Sequence, residues 1–253
     1  MYGLAQVYGL REEEIASTDA LPDTAVSVLL RGDPEVDALA PHLGRLALIC
    51  REQTLLEGLL GVPARGRIAG VSPAGEGQEP PYRHGEDLAE RARESLRLGI
   101  APIRSMTALF ADLGVRLVWT DRLDLDIQGI SLHDPRVGPS VIANLSGREG
   151  QWWTLRSTLA HELCHVLFDR VAAAPLGVAS RRKRRDAIEQ RANAFGVYFL
   201  APREGVRRFL MDRGSRPYEI DRNDVHALMN HFGMGKDAAT AHLRNLDWIT
   251  RAQ

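Results

Sequence analysis

His161-Glu162-Leu163-Cys164-His165 sets two imidazoles four positions apart with a carboxylate beside the first. Four residues of α-helix advance about 6 Å and return to nearly the same face, so both rings reach one metal ion. A metal held this way keeps a position open for water, lowers its pKa to roughly 7, and leaves the intervening glutamate placed to take the proton. The pattern points to metal-assisted peptide hydrolysis with Zn2+ as cofactor. The competing explanation is a pair of core histidines satisfied by hydrogen bonds.

The surroundings agree with the metal. Gln151 to Asp169 reads as one helix, with Trp152, Leu155, Leu159, Leu163, Val166 and Leu167 forming an apolar stripe at three- and four-residue steps. A second helix follows from Asp186 through Leu200 and stops before Pro202. If it runs antiparallel to the first, Glu189 supplies a third ligand and completes a His161, His165, Glu189 site with one open position. Asp186, one turn earlier, is the second choice. Either acid also suits the positive end of a helix dipole. Cys164 has two readings: a small buried hydrophobe, or a thiol close enough to the metal to act as a modulating or redox-sensitive ligand.

Taken together, Thr158-Leu159-Ala160-His161-Glu162-Leu163-Cys164-His165, Glu189-x-x-Ala192-Asn193-x-Phe195 and Leu200-Ala201-Pro202 resemble the ImmA/IrrE family of zinc-dependent peptidases. The resemblance runs from about Gly85 to Ile249 and departs at Cys164, where the family usually has glycine. It implies that His161, His165 and Glu189 bind zinc and that Glu162 is the general base. It also implies that the substrate is a Cro/CI-like (Xre-type) repressor, cleaved under stress such as DNA damage to release transcription of a mobile element, a toxin system or a phage-defence operon. Tyr198 and Asn193 are further polar residues that could assist.

The expected fold is α+β and zincin-like: a small sheet packed on the metal helix, a helical N-terminal segment, and a C-terminal unit resembling a helix-turn-helix. Residues 1–66 form the N-terminal segment, with helical patterns at Leu4 to Ile15 and Leu39 to Leu60. Its opening resembles the last helix of an Xre-type DNA-binding domain. Residues 67–84 read as a linker, within a glycine- and proline-rich stretch from Gly61 to Gly85. The peptidase portion spans 85–202, with helices at Glu86 to Leu98 and Pro102 to Leu113, then strands at Val115 to Trp119, Ile127 to Leu132 and Val141 to Leu145. Val141, Ile142, Ala143, Asn144 and Leu145 are the candidate edge strand for an extended substrate, the other reading being an ordinary core strand. Residues 203–253 carry helices at Arg203 to Met211, Asp221 to Phe232 and Gly235 to Leu246. His226, His231 and His242 there belong to no second ligand cluster.

Lys+Arg of 32 against Asp+Glu of 33 leaves a net charge of −1, which excludes wholesale attraction to nucleic acid or membranes. No stretch approaches the roughly 18 apolar residues of a membrane span, and the start lacks a signal-peptide pattern. Two cysteines, Cys50 and Cys164, suit a reducing compartment, and the expected location is cytoplasmic. One local exception is Arg181-Arg182-Lys183-Arg184-Arg185, between the two metal-bearing helices. It reads either as a solvated loop or as a phosphate contact through which DNA acts as an activator. A different class of function also remains open: a metal-containing DNA-binding or sensor protein that acts without proteolysis.

Overall fold

The computed structural model describes residues 40–62, 79–134, 138–147, 150–169, 176–180 and 187–250. The Leu4 to Ile15 pattern, the basic run Arg181–Arg185 and Asp186 lie outside them. Helix α1 spans Ala40–Leu59, α2 Pro81–Ser95 and α3 Met106–Asp112. Strands β1 (Arg116–Thr120), β2 (Ile127–Asp134) and β3 (Gly138–Asn144) follow. Next come α4 (Trp152–Cys164), a π-turn at His165–Asp169, β4 (Leu176–Ser180) and α5 (Ala187–Leu200). The chain continues with α6 (Arg203–Asp212), α7 (Arg222–Phe232) and α8 (Lys236–Asn245). The result is the expected mixture of helices with one small sheet.

The sheet has four strands in the order β1-β3-β2-β4, with β1 parallel to β3 and the other pairs antiparallel. Alternation along β3 sends Val141 and Ala143 into the main core with α4 and α5, and Ile142 to the opposite face. On that opposite face Ile142, Ile130, Leu132 and Leu123 meet Leu46 and Ala47 of α1. Thus α1, assigned by sequence to a separate N-terminal segment, covers the sheet, and Glu57 near its end pairs with Arg116 of β1 at 2.8 Å.

The edge-strand expectation for Val141, Ile142, Ala143, Asn144 and Leu145 is corrected by the topology. β3 is hydrogen-bonded on both sides, to β1 and to β2, and 141–144 are buried. Asn144 spends its side chain internally, its amide donating to the carbonyls of Asp124 (2.9 Å) and Ile127 (2.8 Å). Leu145 lies just past the strand and donates its N–H to the Thr120 carbonyl. Among the described residues the sheet edges are β1 and β4, and β4 contacts α4.

Two helix starts also differ from expectation. α2 begins at Pro81, with proline in the first turn where its missing N–H is harmless, and runs through Gly85. A Cβ on Gly85 would lie 2.4 Å from the Arg191 carbonyl, so this glycine, read from sequence as the end of a loop, is a close-approach point against α5 within α2. α3 begins at Met106 because Ser105 caps it, accepting the Ala108 N–H at 3.1 Å. Arg93 of α2 is buried and donates to three carbonyls, those of Gly99 (2.7 Å), Ala101 (2.6 Å) and Phe199 (2.5 Å). One side chain thereby joins α2, the loop before α3 and the end of α5.

α7 carries a capping box at Asp221 and Asp224 and ends at Gly233 in the left-handed region (φ 69°). Only Gly233–Gly235 separate it from α8. These helices share the main core with the peptidase portion through Leu228, Phe232, Met234, Ala239 and Leu243. His242 is buried between the two parts, donating to the Ala201 carbonyl at 2.7 Å. His231 stacks on Phe209 of α6. No described helix is long and apolar enough to cross a membrane.

Candidate active site

α4 and α5 pack against each other, and Gly196 permits the contact: a Cβ there would already stand 3.3 Å from the His161 backbone nitrogen. Across this seam His161 and His165 from α4 meet Glu189 from the first turn of α5. The two Nε2 atoms are 3.1 Å apart, His161 Nε2 is 3.3 Å from Glu189 Oε2, and His165 Nε2 is 3.4 Å from Glu189 Oε1. All three side chains are buried, and their donor atoms lie within 4.8 Å of one another.

Both rings are oriented from behind. His161 Nδ1 lies 3.1 Å from Asn193 Oδ1, and His165 Nδ1 lies 2.8 Å from Asp169 Oδ2. Neither acceptor carries a proton to give, so each Nδ1–H donates outward and each Nε2 lone pair faces the shared point. Asp169 also pairs with buried Arg191 of α5, which fixes the end of the metal helix to the helix bearing Glu189. The π-turn at His165–Asp169 is the segment that carries this acid.

The electrostatics fit a cation. Burial pushes the His165 pKa down, but Asp169 and Glu189 prevail and hold it at about 10. Burial pushes Glu189 up, yet His161 and His165 hold it at about 2. The cluster therefore keeps its carboxylate ionised and draws positive charge to Nε2. A metal ion held by His161, His165 and Glu189 would take the place of that proton, since binding to such donors releases protons. Two imidazoles and one carboxylate with room for a fourth ligand make a donor set suited to a catalytic metal.

Glu162 lies beneath β2, 0 % exposed, and burial pushes its carboxyl up to about 7 against the opposing pull of His161 and His165. A Cβ on Gly129 would meet Glu162 Oε1 at 2.8 Å, so the missing side chain in β2 is what leaves space for the carboxylate. A pKa near neutrality suits a group that must accept and then return a proton.

Several expectations resolve here. Cys164 is fully buried, outside the donor cluster, with its thiol directed at Arg191 and its pKa raised by burial. It packs, and the modulating-ligand reading has no geometric support. Asn193 orients His161. Tyr198 sets its ring edge on His242 and faces Glu86 and Arg203, away from the cluster. Trp152, placed by sequence in the apolar stripe, is exposed. Asp169, Arg191 and Gly129 were not singled out by sequence, although Asp169 stands four residues after His165, at the spacing that brings side chains together on a helix.

A sheet flanked by a helix with the HExxH pair and a second helix with the distal glutamate defines a metallopeptidase of the two-histidine, one-carboxylate type. The family model Peptidase_M78, described as the IrrE N-terminal-like domain, matches residues 154–244. This segment is similar to that domain, in agreement with the ImmA/IrrE resemblance of its motifs. The match takes in nearly all of α4 through α8, helices that share the main core. Comparison with curated proteins gives no match.

Proposed function

We propose that the protein is a zinc-dependent endopeptidase whose substrate is an Xre-type (Cro/CI-like) repressor, cut under stress such as DNA damage to derepress an operon in the cytoplasm. The observation that carries the peptidase reading is the convergence of His161, His165 and Glu189 with Glu162 alongside. Zinc, when bound by the three donors, supplies a Lewis acid that lowers the pKa of water and polarises a peptide carbonyl. Glu162 accepts the proton of the attacking water and returns it to the leaving amine, while Asn193 and Asp169 hold the two imidazoles in the required tautomer. β4, the sheet edge that contacts α4, replaces Val141–Leu145 as the strand on which an extended substrate would pair. The repressor and the stress signal rest on the family resemblance. Activation by DNA rests on the charge of the basic run Arg181–Arg185.

The test is incubation of the zinc-loaded full chain with the neighbouring Xre-type repressor, with and without DNA, followed by mass spectrometry of fragments. One new terminus is expected, and Glu162→Gln should retain zinc while losing at least 100-fold in rate, as removal of a general base does. A fully active Glu162→Gln variant would refute the assigned base. A second reading, a metal-containing sensor that binds without cutting, has one observation in its favour: the Glu162 carboxylate is wholly covered by β2. Zinc binding with no new terminus from any protein substrate would favour it.

A further inference from the structure

Beside the metal cluster the surface opens into a cleft of about 580 Å³. Its lining includes Trp153, Thr158 and His161 of α4, Val197 of α5, and Met229 and Met234 from the end of α7 and its turn. The size falls within the roughly 300–1,000 Å³ of small-ligand clefts. His161 is common to the cleft and to the donor cluster. The charged side chains in the lining other than His161 are Lys236 and Asp237, both exposed at the rim.

The α7–α8 side of the lining is a built feature. Gly233 and Gly235 press the α7–α8 turn flat onto α4: a Cβ on Gly233 would lie 2.7 Å from Arg156 Nε, and one on Gly235 would lie 2.9 Å from Trp153 Cδ1. Met234 between them is buried. Trp153 is thereby held against the turn from the other side. None of the proton-transfer or ligand-orienting roles uses Trp153, Met229 or Met234, yet all three converge on the approach to His161.

We infer that this cleft is a specificity pocket for an apolar side chain of leucine, methionine or phenylalanine size next to the scissile bond, and that the C-terminal helical pair serves as its wall. The inference rests on the peptidase reading and extends it to substrate choice. A lining that combines an indole with methionine thioethers accepts either a branched aliphatic or an aromatic group, because unbranched thioether chains readjust to the shape presented. The lysine of the lining, Lys236, is exposed, so an entering carboxylate gains only a solvent-screened cation for the water it gives up. The α7–α8 turn selects the residue to be cut beside.

The test uses the zinc-loaded full chain and amino-acid hydroxamates of glycine, leucine, phenylalanine and aspartate, which share one chelating group and differ only in side chain. Affinities are measured by calorimetry and by tryptophan fluorescence, with Trp153→Phe to assign the optical signal. Leucine and phenylalanine hydroxamates are expected to bind at least tenfold tighter than the glycine compound, as burial of such side chains predicts, and aspartate no tighter than glycine. Met229→Ala should bring the leucine-to-glycine ratio towards one with zinc stoichiometry and glycine-hydroxamate affinity unchanged. Val197→Phe, which fills the cleft from α5 without altering the turn, should do the same. Equal affinities across the series in the unsubstituted protein overturn the pocket while leaving the metal centre standing. Failure of every hydroxamate to bind overturns the metal centre and the pocket with it.

Discussion

Replacing His242 by glutamine isolates one titration at the seam between the C-terminal helices and the rest of the domain. The His242 ring is fully buried, its Nε2–H donates to the Ala201 carbonyl at 2.7 Å, and burial holds its pKa at about 4, below the usual 6.5. The charge of Arg203 adds to the depression, the Ala201 carbonyl opposes it, and Tyr198 packs edge-on. The unfolded chain takes up a proton near pH 6.5, the folded chain only near pH 4. Stability from the neutral ring is therefore fully present above about pH 6.5 and is lost as the pH falls towards 4. At about 1.4 kcal/mol per unit the whole loss is roughly 3 kcal/mol. Glutamine retains an N–H donor and cannot titrate. Urea unfolding of metal-free His242→Gln and unsubstituted protein at steps from pH 4 to 7 should show their stability difference changing by roughly that amount, in favour of the variant at acid pH. Taking the difference removes the carboxylates and the metal-site histidines, which both chains share. Parallel pH curves would refute the account of His242 as a neutral buried donor.

The other perturbations separate positioning from packing. Gly129→Ala places a methyl group against the Glu162 carboxylate, so peptidase kcat should fall by at least about tenfold with zinc stoichiometry intact; an unchanged kcat would show that β2 does not hold Glu162 in place. Asn193→Ala removes the acceptor behind His161 and should weaken zinc binding by about 10- to 100-fold in competition with a chelator, an unaltered Kd being the contrary result. Arg93→Met strands three carbonyls and should lower unfolding free energy by about 3 kcal/mol or more. A urea midpoint equal to that of the unsubstituted chain would deny Arg93 its joining role.

The metal-bearing helices were legible in the sequence because their chemistry has a period. Two histidines four apart on an apolar stripe can lie only on one helical face, and Glu189 lies at the start of the next periodic segment. The three earlier strands were legible from their alternation and bounding turns, but alternation says nothing of a strand's place in the sheet, which is why 141–145 read equally well as an edge. Leu176–Ser180 contains one β-branched residue and two small ones, Gly177 and Ala179, so it gave no strand signal. Gly85 reads on local rules as the end of a glycine- and proline-rich loop; only the carbonyl of Arg191, far along the chain, reveals it as a contact point inside α2. The cleft was hidden for a similar reason. Trp153 stands off the core stripe of α4, and Met229 and Met234 look like ordinary helix and turn residues until the turn is laid against it.

Leu163, Phe195, Phe199 and their neighbours clamp α4 to α5, so most of the frame that carries the three donors is apolar packing apart from the donors themselves. Such a frame should outlast its metal: a chelator is expected to silence the proposed zinc peptidase without unfolding it, and re-supplied zinc to wake the same molecules. Scarcity of zinc would then set how many copies are armed at a given moment, with no need to synthesise or destroy any of them.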